Sequence, residues 1–289
     1  MIYSIIGVAV AVVMALGYWI YKESTGFRVT RYEFKTDKKL EKDIHFVMMA
    51  DLHDTDKGNN NQVLLDAIDE LAPDFVILAG DMVTAYLEPT YNFDKTLEFI
   101  GKLAVRYKTF YGYGNHEMRF RREQKRFPDY FKKLAKAASD AGAPLMKNKK
   151  YSFKDNNVDI YGLFLSDKFY TRGTLTPMVD GYMDKMLGAP DPDRLSLLIA
   201  HNPEILSEYS QWGADYVLSG HVHGGIVRVP FLGGLISPRL KLFPKFDYGI
   251  FKEDATTMIL TNGIGAHTIP IRINNKAEIV DIRIYGKKD

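Results

Sequence analysis

The chain alternates between short apolar runs and amphipathic segments, and this alternation is the feature that most restricts its fold. The apolar runs are rich in Val, Ile, Leu and Phe, as buried strands are. The segments between them repeat their apolar residues with the period of a helix. Strands that alternate with helices along a chain predict an α/β domain.

The pattern is clear enough to place individual elements. Strands are expected at residues 44–50, 75–79, 108–111, 158–163, 195–200 and 216–218. Helices are expected at residues 60–71, 93–105, 128–141 and 203–211. Beyond Gly225 the sequence is rich in glycine and proline, and closing strands are expected at residues 258–261 and 278–285. Neither a linker nor an internal repeat interrupts this pattern, so we expect one domain at residues 43–286.

Length and composition allow one large domain and exclude several kinds of site. The chain has 289 residues, and its 46% hydrophobic content is enough for a substantial core. Its formal net charge of +2 gives no sign of nucleic-acid binding. It has no cysteine, which excludes disulfides, thiolate zinc sites and cysteine nucleophiles. Any bound metal must therefore be held by nitrogen and oxygen atoms.

The first 21 residues contain no charged side chain, and this predicts a membrane span. Tyr18, Trp19 and Tyr21 lie at its far end, where an interfacial aromatic belt is typical. A cleaved signal peptide is the alternative, but it usually opens with Lys or Arg before a shorter apolar run. We therefore expect a retained anchor at residues 1–21, followed by a tether and a first strand at residues 22–42.

Basic residues follow the span and bear on its orientation. They are Lys22, Arg28, Arg31, Lys35, Lys38 and Lys39. By the positive-inside rule, this charge predicts a single-pass protein of the cell membrane whose catalytic domain faces the cytoplasm. Part of the charge can instead belong to a folded strand, which would weaken the argument.

Five of the expected strands end in residues that can bind metals. In α/β sheets, ligand sites lie at the carboxyl ends of strands. The five junctions contain Asp51 and His53, then Asp81, then Asn115, His116 and Glu117, then His201, and finally His221 and His223. Taken singly, each is more typical of a helix cap, a turn or a structural histidine. However, five of the chain's seven histidines fall in these junctions, which chance placement explains poorly.

The residue types also indicate a particular chemistry. Carboxylates and imidazoles suit ions such as Mn, Fe, Co, Ni and Zn, whereas an oxygen-only set favours Mg or Ca. A carboxylate can bridge two ions, and ions about 3.5–4 Å apart polarise phosphoryl oxygens and generate hydroxide near neutral pH. Hydrolysis of phosphoesters by a metal-activated hydroxide is the reaction that fits.

The order of these motifs resembles the calcineurin-like metallophosphoesterase family. The motifs are Asp-x-His, Gly-Asp, Gly-Asn-His-Glu, an isolated His and Gly-His-x-His, within about residues 43–285. The resemblance implies a four-layer α/β/β/α sandwich and two divalent ions, with Mn, Zn or Fe expected. It implies that one ion is bound by Asp51, His53, Asp81 and His223, and the other by Asp81, Asn115, His201 and His221.

The resemblance also implies a role for His116, which would contact the substrate phosphate and protonate the leaving oxygen. Imidazole is suited to such general acid catalysis. Glu117 stands where many members have Asp, and the retained carboxylate implies that His116 keeps its orientation. Asp54 stands where small or apolar residues are frequent. It is either an acceptor for a ligand imidazole or a turn residue, and its sequence context favours the turn.

The C-terminal part of the chain is similar to membrane-associated bacterial members of the family. The similarity rests on residues 220–225 leading into 227–230, and on residues 263–265 and 270–272. Within it, Arg272 is a candidate phosphate contact, because guanidinium matches phosphate oxygens. A surface charge on a strand is the alternative. His45 and His267 match no motif and are expected to be structural.

The stretch at residues 231–251 bears on the substrate. Its apolar residues are Phe231, Leu232, Leu235, Ile236, Leu240, Leu242, Phe243 and Phe246. Such a loop can line an acyl-chain groove or lie on a bilayer, and core packing is the alternative. Together with the anchor, it favours a lipid-linked or amphipathic phosphoester or pyrophosphate. A phosphodiesterase for soluble nucleotides and a non-catalytic metal-stabilised binding protein are the alternatives.

Overall fold

Two mixed sheets and their covering helices form the body of the protein. The computed structural model describes residues 2–86, 91–171, 176–225, 227–229, 231–235, 242–265 and 271–287. Its strands are β1 (Phe27–Lys35), β2 (Ile44–Met49), β3 (Phe75–Leu78), β4 (Lys108–Gly112), β5 (Leu145–Met146), β6 (Lys149–Ser152), β7 (Val158–Gly162), β8 (Leu195–Ile199), β9 (Tyr216–Ser219), β10 (Arg228–Val229), β11 (Gly233–Gly234), β12 (Gly249–Glu253), β13 (Thr256–Leu260) and β14 (Ala277–Tyr285). Its α-helices are α1 (Ile2–Thr25), α2 (Gln62–Leu71), α3 (Asp94–Arg106), α4 (Asn115–Arg122), α5 (Tyr130–Asp140), α6 (Tyr182–Leu187) and α7 (Leu206–Trp212).

Each sheet has six strands and a parallel centre. Sheet A has the order β1-β14-β2-β3-β4-β5, and β2 to β5 run parallel to one another. Sheet B has the order β12-β13-β9-β8-β7-β6, and β13, β9, β8 and β7 run parallel. Strands β10 and β11 form a separate two-stranded ribbon. Because parallel strands end on the same side, the carboxyl ends of β2, β3 and β4 meet at one edge of sheet A, and those of β8 and β9 meet at one edge of sheet B.

Alternating side chains explain why the sheets are covered on both faces. On β2, Phe46 and Met48 enter the core between the two sheets, whereas Val47 and Met49 enter the core under α2, α3 and α5. Sheet B does the same, since Leu197 lies in the central core and Leu198 lies in the core under α6 and α7. Burial on both faces requires continuous apolar strands, which the sequence has. The predicted α/β/β/α sandwich is confirmed.

The predicted elements agree with the structure to within a few residues. Strands β5, β6, β10, β11 and β12 and helices α4 and α6 were not predicted. They are short or polar, and their apolar pattern is too weak to be recognised. Strand β1 pairs in parallel with β14 along all nine of its residues. Only Gly26 separates this strand from the last residue of α1.

Helix α1 is a candidate membrane span by length and composition. Residues Tyr3–Thr25 have a mean hydropathy of 2.0 over their most apolar window, and none of that window is buried in the protein. A helix of this length reaches about 35 Å, which is enough to cross a hydrocarbon layer of about 30 Å.

Candidate metal centre

Both sheets deliver metal-binding side chains to the same place. Sheet A contributes the residues that follow β2, β3 and β4, and sheet B contributes those that follow β8 and β9. All seven predicted ligands are at most 9% exposed: Asp51, His53, Asp81, Asn115, His201, His221 and His223. So many buried polar groups at one edge require a partner that neutralises them.

One group of ligand atoms surrounds Asp51. Its Oδ1 lies 3.3 Å from Nε2 of His223 and 3.6 Å from Nε2 of His53. The two imidazole nitrogens are 3.2 Å apart. Ligand atoms of these three residues all lie within 4.8 Å of one another, a spacing that one metal ion can span.

A second group surrounds Asp81 and includes His201 and His221, again with ligand atoms within 4.8 Å of one another. Oδ2 of Asp81 lies 3.0 Å from Nε2 of His201 and 3.9 Å from Nε2 of His53. Asp81 therefore lies between the two groups. The buried Oδ1 of Asn115 has no hydrogen-bond partner within the described part of the chain, so it is available to a cation.

His201 is held in the tautomer that a metal ligand needs. Its Nδ1 lies 2.7 Å from the carbonyl oxygen of Ala79. A carbonyl can only accept, so Nδ1 donates, and in the neutral ring Nε2 has a lone pair directed at Asp81.

The charges of the site compensate one another. Burial opposes ionisation of Asp51, but His223 and His201 outweigh it and hold the pKa of the carboxyl well below its usual range. The pKa of Asp81 is lowered in the same way, against burial, by His201 and His116. Burial disfavours a charged His201, yet Asp81 and Asp51 raise its pKa to about 10. Without metal, the carboxylates hold protons on the imidazoles, and a divalent cation would displace those protons.

The backbone of the ligand loops is strained. Asp51, His53, Asp81, His221 and His223 have φ angles between 47° and 78°. Non-glycine residues seldom adopt this left-handed conformation, and such residues cluster at functional sites. Each of these left-handed turns directs a ligand side chain toward the shared edge, and packing of the surrounding core stabilises the turn.

Two motif glycines allow the carboxylates to approach the neighbouring backbone. A Cβ at position 114 would overlap Oδ1 and the backbone nitrogen of Asp81. A Cβ at position 220 would overlap Oδ2 of Asp51. This close approach explains why the Asn-His and His-x-His motifs each begin with glycine.

His116 lies in the first turn of α4, beside both groups of ligands. Its backbone N–H donates to Oδ1 of Asp81 at 2.8 Å, and its ring centroid is 4.9 Å from that of His53. The N–H of Ala85 donates to its Nδ1 at 2.7 Å. In the neutral ring the proton must therefore be on Nε2, the form that can donate to a substrate oxygen.

Glu117 supports the backbone around Asp81, whereas the sequence predicts that its carboxylate orients the ring of His116. Its Oε2 accepts from the N–H groups of Asp81 and Gly114, both at 2.9 Å. Its Oε1 accepts from the N–H of Met82 and the hydroxyl of Tyr111, both at 2.8 Å. The ring of His116 is instead contacted by a backbone N–H, which no sequence motif reveals.

Asp54 is a turn residue, as its sequence context favours, but its side chain also makes several hydrogen bonds. Its φ of 56° is that of a turn, but its carboxylate is mostly buried. It accepts from the N–H of Thr84, the hydroxyl of Tyr91 and the hydroxyl of Thr96, at 2.6–2.7 Å. The hydroxyl of Thr84 lies 3.4 Å from Nδ1 of His53, so Asp54 acts on this imidazole only indirectly.

Arg272 is neither a surface charge nor, from its contacts, a free phosphate-binding group. It is 3% exposed, and its guanidinium donates to the carbonyl oxygens of Asn262, Gly263, Gly265 and Asn275. These bonds hold the loop that follows β13, and a substrate-binding role for Arg272 stays a prediction.

Of the two histidines outside the motifs, only His45 lies among the described residues. His45 is structural, as predicted, since its Nε2 lies 2.6 Å from Oδ1 of Asp281. His267 lies outside the described residues, as do Ile236 and Leu240.

The comparisons with known proteins agree with this geometry. The sequence model of the calcineurin-like phosphoesterase family matches residues 44–225, which is more than half of the chain. The chain belongs to this family. Family membership makes divalent metal the expected cofactor, in agreement with the Asp and His clusters.

Individual relatives are distant in sequence. The chain is 26% identical over 261 residues to Cj0846, a metallophosphoesterase of Campylobacter jejuni, and covers 61% of that protein. It is 22% identical over 278 residues to the phosphodiesterase YaeI of Escherichia coli, and the matched region covers 95% of this chain and 94% of YaeI. It is 23% identical to a transmembrane protein with a metallophosphoesterase domain from Danio rerio, of which it spans 52%. The chain thus spans little more than half of some of its relatives.

Proposed function

We propose that the chain hydrolyses phosphoester or pyrophosphate bonds at a centre of two divalent ions. Asp51, His53 and His223 would hold the first ion, Asn115, His201 and His221 would hold the second, and Asp81 would be shared by both. The observation that carries the proposal is the position of Asp81, whose carboxylate lies close to His201 of one group and His53 of the other.

The two ions would supply Lewis-acid stabilisation of the phosphoryl oxygens and an activated water. The chain's own residues do the rest. Glu117 fixes the Asp81 turn through backbone N–H groups, and Ala85 fixes the His116 ring. Nε2–H of His116 would donate a hydrogen bond to the phosphoryl group and then to the leaving oxygen as the ester bond breaks.

The donor set favours Mn, Zn or Fe over Mg, because it contains four imidazoles beside two carboxylates and one amide. Activity should therefore be measured on metal-free protein that is reloaded separately with Mn, Zn and Mg. Full activity with Mg alone and none with Mn or Zn would contradict the assignment.

A lipid-linked or otherwise amphipathic substrate is proposed on two grounds. Helix α1 is a candidate membrane span, and several side chains of the 231–251 stretch are exposed although they are apolar: Phe231, Leu232, Leu242 and Phe243. Solvent-exposed apolar groups in one stretch are typical of a surface that contacts lipid or an apolar ligand.

A substrate panel tests this proposal against the alternative of a soluble nucleotide substrate. Rates should be compared for cyclic nucleotides, nucleotide-linked pyrophosphates and phospholipids presented in nanodiscs. The proposal expects kcat/KM to be highest for a lipid-borne phosphoester. A soluble nucleotide that exceeds every lipid substrate would identify the alternative.

We propose further that the chain is a single-pass protein of the cell membrane with its catalytic domain in the cytoplasm. The support is positive charge after the span, although Arg28 and Arg31 belong to β1, where they pair with Glu278 and Asp281. Carboxyl-terminal fusions to a reporter active in the cytoplasm and to one active only after export test the orientation. Activity of the exported reporter would overturn it.

A further inference from the structure

Helix α1 is attached to the metal-site loops by more than its covalent connection. The N–H of Arg272 donates to Oγ of Ser24 at 3.0 Å, and Nζ of Lys57 donates to the carbonyl oxygen of Ser24 at 3.1 Å. Gly26 lies against the domain as well, since a Cβ at this position would be 2.9 Å from Cε of Lys276. The end of the helix is therefore docked on the domain, in place of the tether predicted from the sequence.

This docked end is only a few contacts from the metal centre. The guanidinium of Arg272 binds the carbonyl oxygens of Gly263 and Gly265. The N–H of Gly265 then donates to the carbonyl oxygen of Asp51 at 2.7 Å. The helix end and the metal-binding edge are thus connected through Arg272 and Gly265.

The same segment also holds the β10–β11 ribbon. The N–H of Arg228 donates to the carbonyl oxygen of Ile273 at 2.9 Å, one residue from the contact between Arg272 and Ser24. The turn between the ribbon strands contains Phe231 and Leu232. Phe231 is three residues from Arg228, a reach of about 10 Å at most.

Exposed apolar side chains gather around this connection. Phe231 is fully exposed, Leu232 is 65% exposed and Leu242 is 63% exposed, while Phe243 and Ile271 are about half exposed. The N–H of Phe243 donates to the carbonyl oxygen of Leu235, so residues 242–243 are held against the ribbon. We call Phe231, Leu232, Leu242, Phe243 and Ile271 the apolar rim.

Contact with a membrane would explain why these apolar side chains are exposed. Trp19 and Tyr21 mark the interfacial end of the span, and Ser24 lies about 7 Å further along the helix than Trp19. The rim is joined to Ser24 through residues 271–273, so it is held near the depth at which lipid headgroups begin.

We propose that the apolar rim is a second membrane contact, inserted into the interface of the bilayer that α1 spans. The docked helix and the rim together hold the metal-binding edge at headgroup depth. This inference rests on the membrane anchor of the proposed function and adds to it the surface through which the domain meets lipid.

The absence of cysteine makes the test direct, because a single introduced cysteine labels one position. The full-length chain with Phe231→Cys or Leu242→Cys is labelled with an environment-sensitive fluorophore and placed in nanodiscs of phosphatidylethanolamine and phosphatidylglycerol. Val105→Cys on α3 and Val179→Cys are matched controls, since both valines are apolar and exposed. Lipids with bromine on their acyl chains serve as quenchers.

The proposal expects quenching at positions 231 and 242 to exceed that at positions 105 and 179 several-fold. Adding Phe231→Asp should lower the quenching of the label at position 242, because the two residues would insert together. The thermal unfolding midpoint should be unchanged in every variant, which shows that each is folded. If the wild type hydrolyses no phosphoester, the proposed function fails, whereas quenching still tests the rim.

Two results would overturn the inference. One is equal quenching at positions 231, 242, 105 and 179. The other is energy transfer between rim labels on separate copies of the chain without quenching by lipid, which would identify the rim as an interface between copies.

Discussion

The two sheets contribute unlike halves of the metal centre. Sheet A supplies both carboxylates, the amide of Asn115 and the two histidines His53 and His116. Sheet B supplies only imidazoles: His201, His221 and His223. The negative charge thus comes from sheet A alone, sheet B adds three imidazoles, and the centre exists only when the central core joins the two sheets.

The halves also differ in what holds them. The carboxylates of sheet A are supported by polar contacts, such as those of Glu117 with the N–H groups of Asp81 and Met82. The imidazoles of sheet B are supported through backbone carbonyl oxygens, since Nδ1 of His201 donates to that of Ala79 and Asn275 donates to that of His223. Loss of Asp81 from sheet A should therefore affect both ions, whereas loss of a single imidazole of sheet B should affect one.

The largest effect is expected for Asp81→Ala compared with His221→Ala. Asp81→Ala removes the proposed bridge and should abolish activity together with most bound metal, since both ions lose a ligand. His221→Ala should weaken mainly the second ion. Metal content of the purified variants measures this. Two ions per chain retained in the Asp81 variant would rule out the bridge.

His116→Ala should separate catalysis from metal binding within sheet A. Metal content should stay near that of the wild type, and kcat should fall by about 10²–10⁴ as the general acid is lost. The loss should be smaller for nitrophenyl esters, whose leaving groups need little protonation. Equal losses on good and poor leaving groups would indicate that His116 only positions the substrate.

Gly114→Ala should lower metal affinity by about 10–100-fold, the range for disturbed support of a ligand, because its Cβ would displace Asp81. Gly101→Ala is the matched control, since it lies in α3 with open space around it. The control should gain roughly 0.5–1 kcal/mol of stability and keep its metal. Titration with Zn and thermal unfolding measure both quantities, and equal metal affinity in the two variants would contradict the close approach.

Asp54→Asn should have the smallest effect, lowering kcat by about tenfold while metal stays bound. The amide would place a donor against the hydroxyls of Tyr91 and Thr96 and so loosen the turn that contains Thr84 and Ala85. Asp56→Asn, two residues away and outside this network, should leave kcat unchanged. A tenfold loss in both variants would point to a general disturbance of the loop.

The residue order predicts an α/β domain with metal-binding side chains at five strand ends, because apolar strands and the polar residues that follow them are both visible in it. The four layers and the grouping of the seven ligands are predicted only by the resemblance to the family. The sequence did not predict contacts made by the backbone. The N–H of Ala85 on His116 and those of Asp81 and Met82 on Glu117 depend on where loops fold, and any residue type can supply them. The contacts of Arg272 were not predictable for the same reason, since its partners are the carbonyl oxygens of residues 262, 263, 265 and 275.

The charges after the span show the same limit. From the sequence, Arg28 and Arg31 are interpreted as juxtamembrane charge. In the structure they lie on β1 and pair with Glu278 and Asp281, some 250 residues away along the chain. The partner strand β14 is visible in the sequence, but its parallel register with β1 is not.

Electron paramagnetic resonance of the full-length chain loaded with Mn tests the two-metal centre most directly, combined with metal content and activity at each step of the titration. We expect two ions per chain at full activity and a spectrum of exchange-coupled Mn, because a shared carboxylate would hold the ions about 3.5–4 Å apart. Full activity with one ion per chain, or two ions whose spectra show no coupling, would contradict a centre bridged by Asp81.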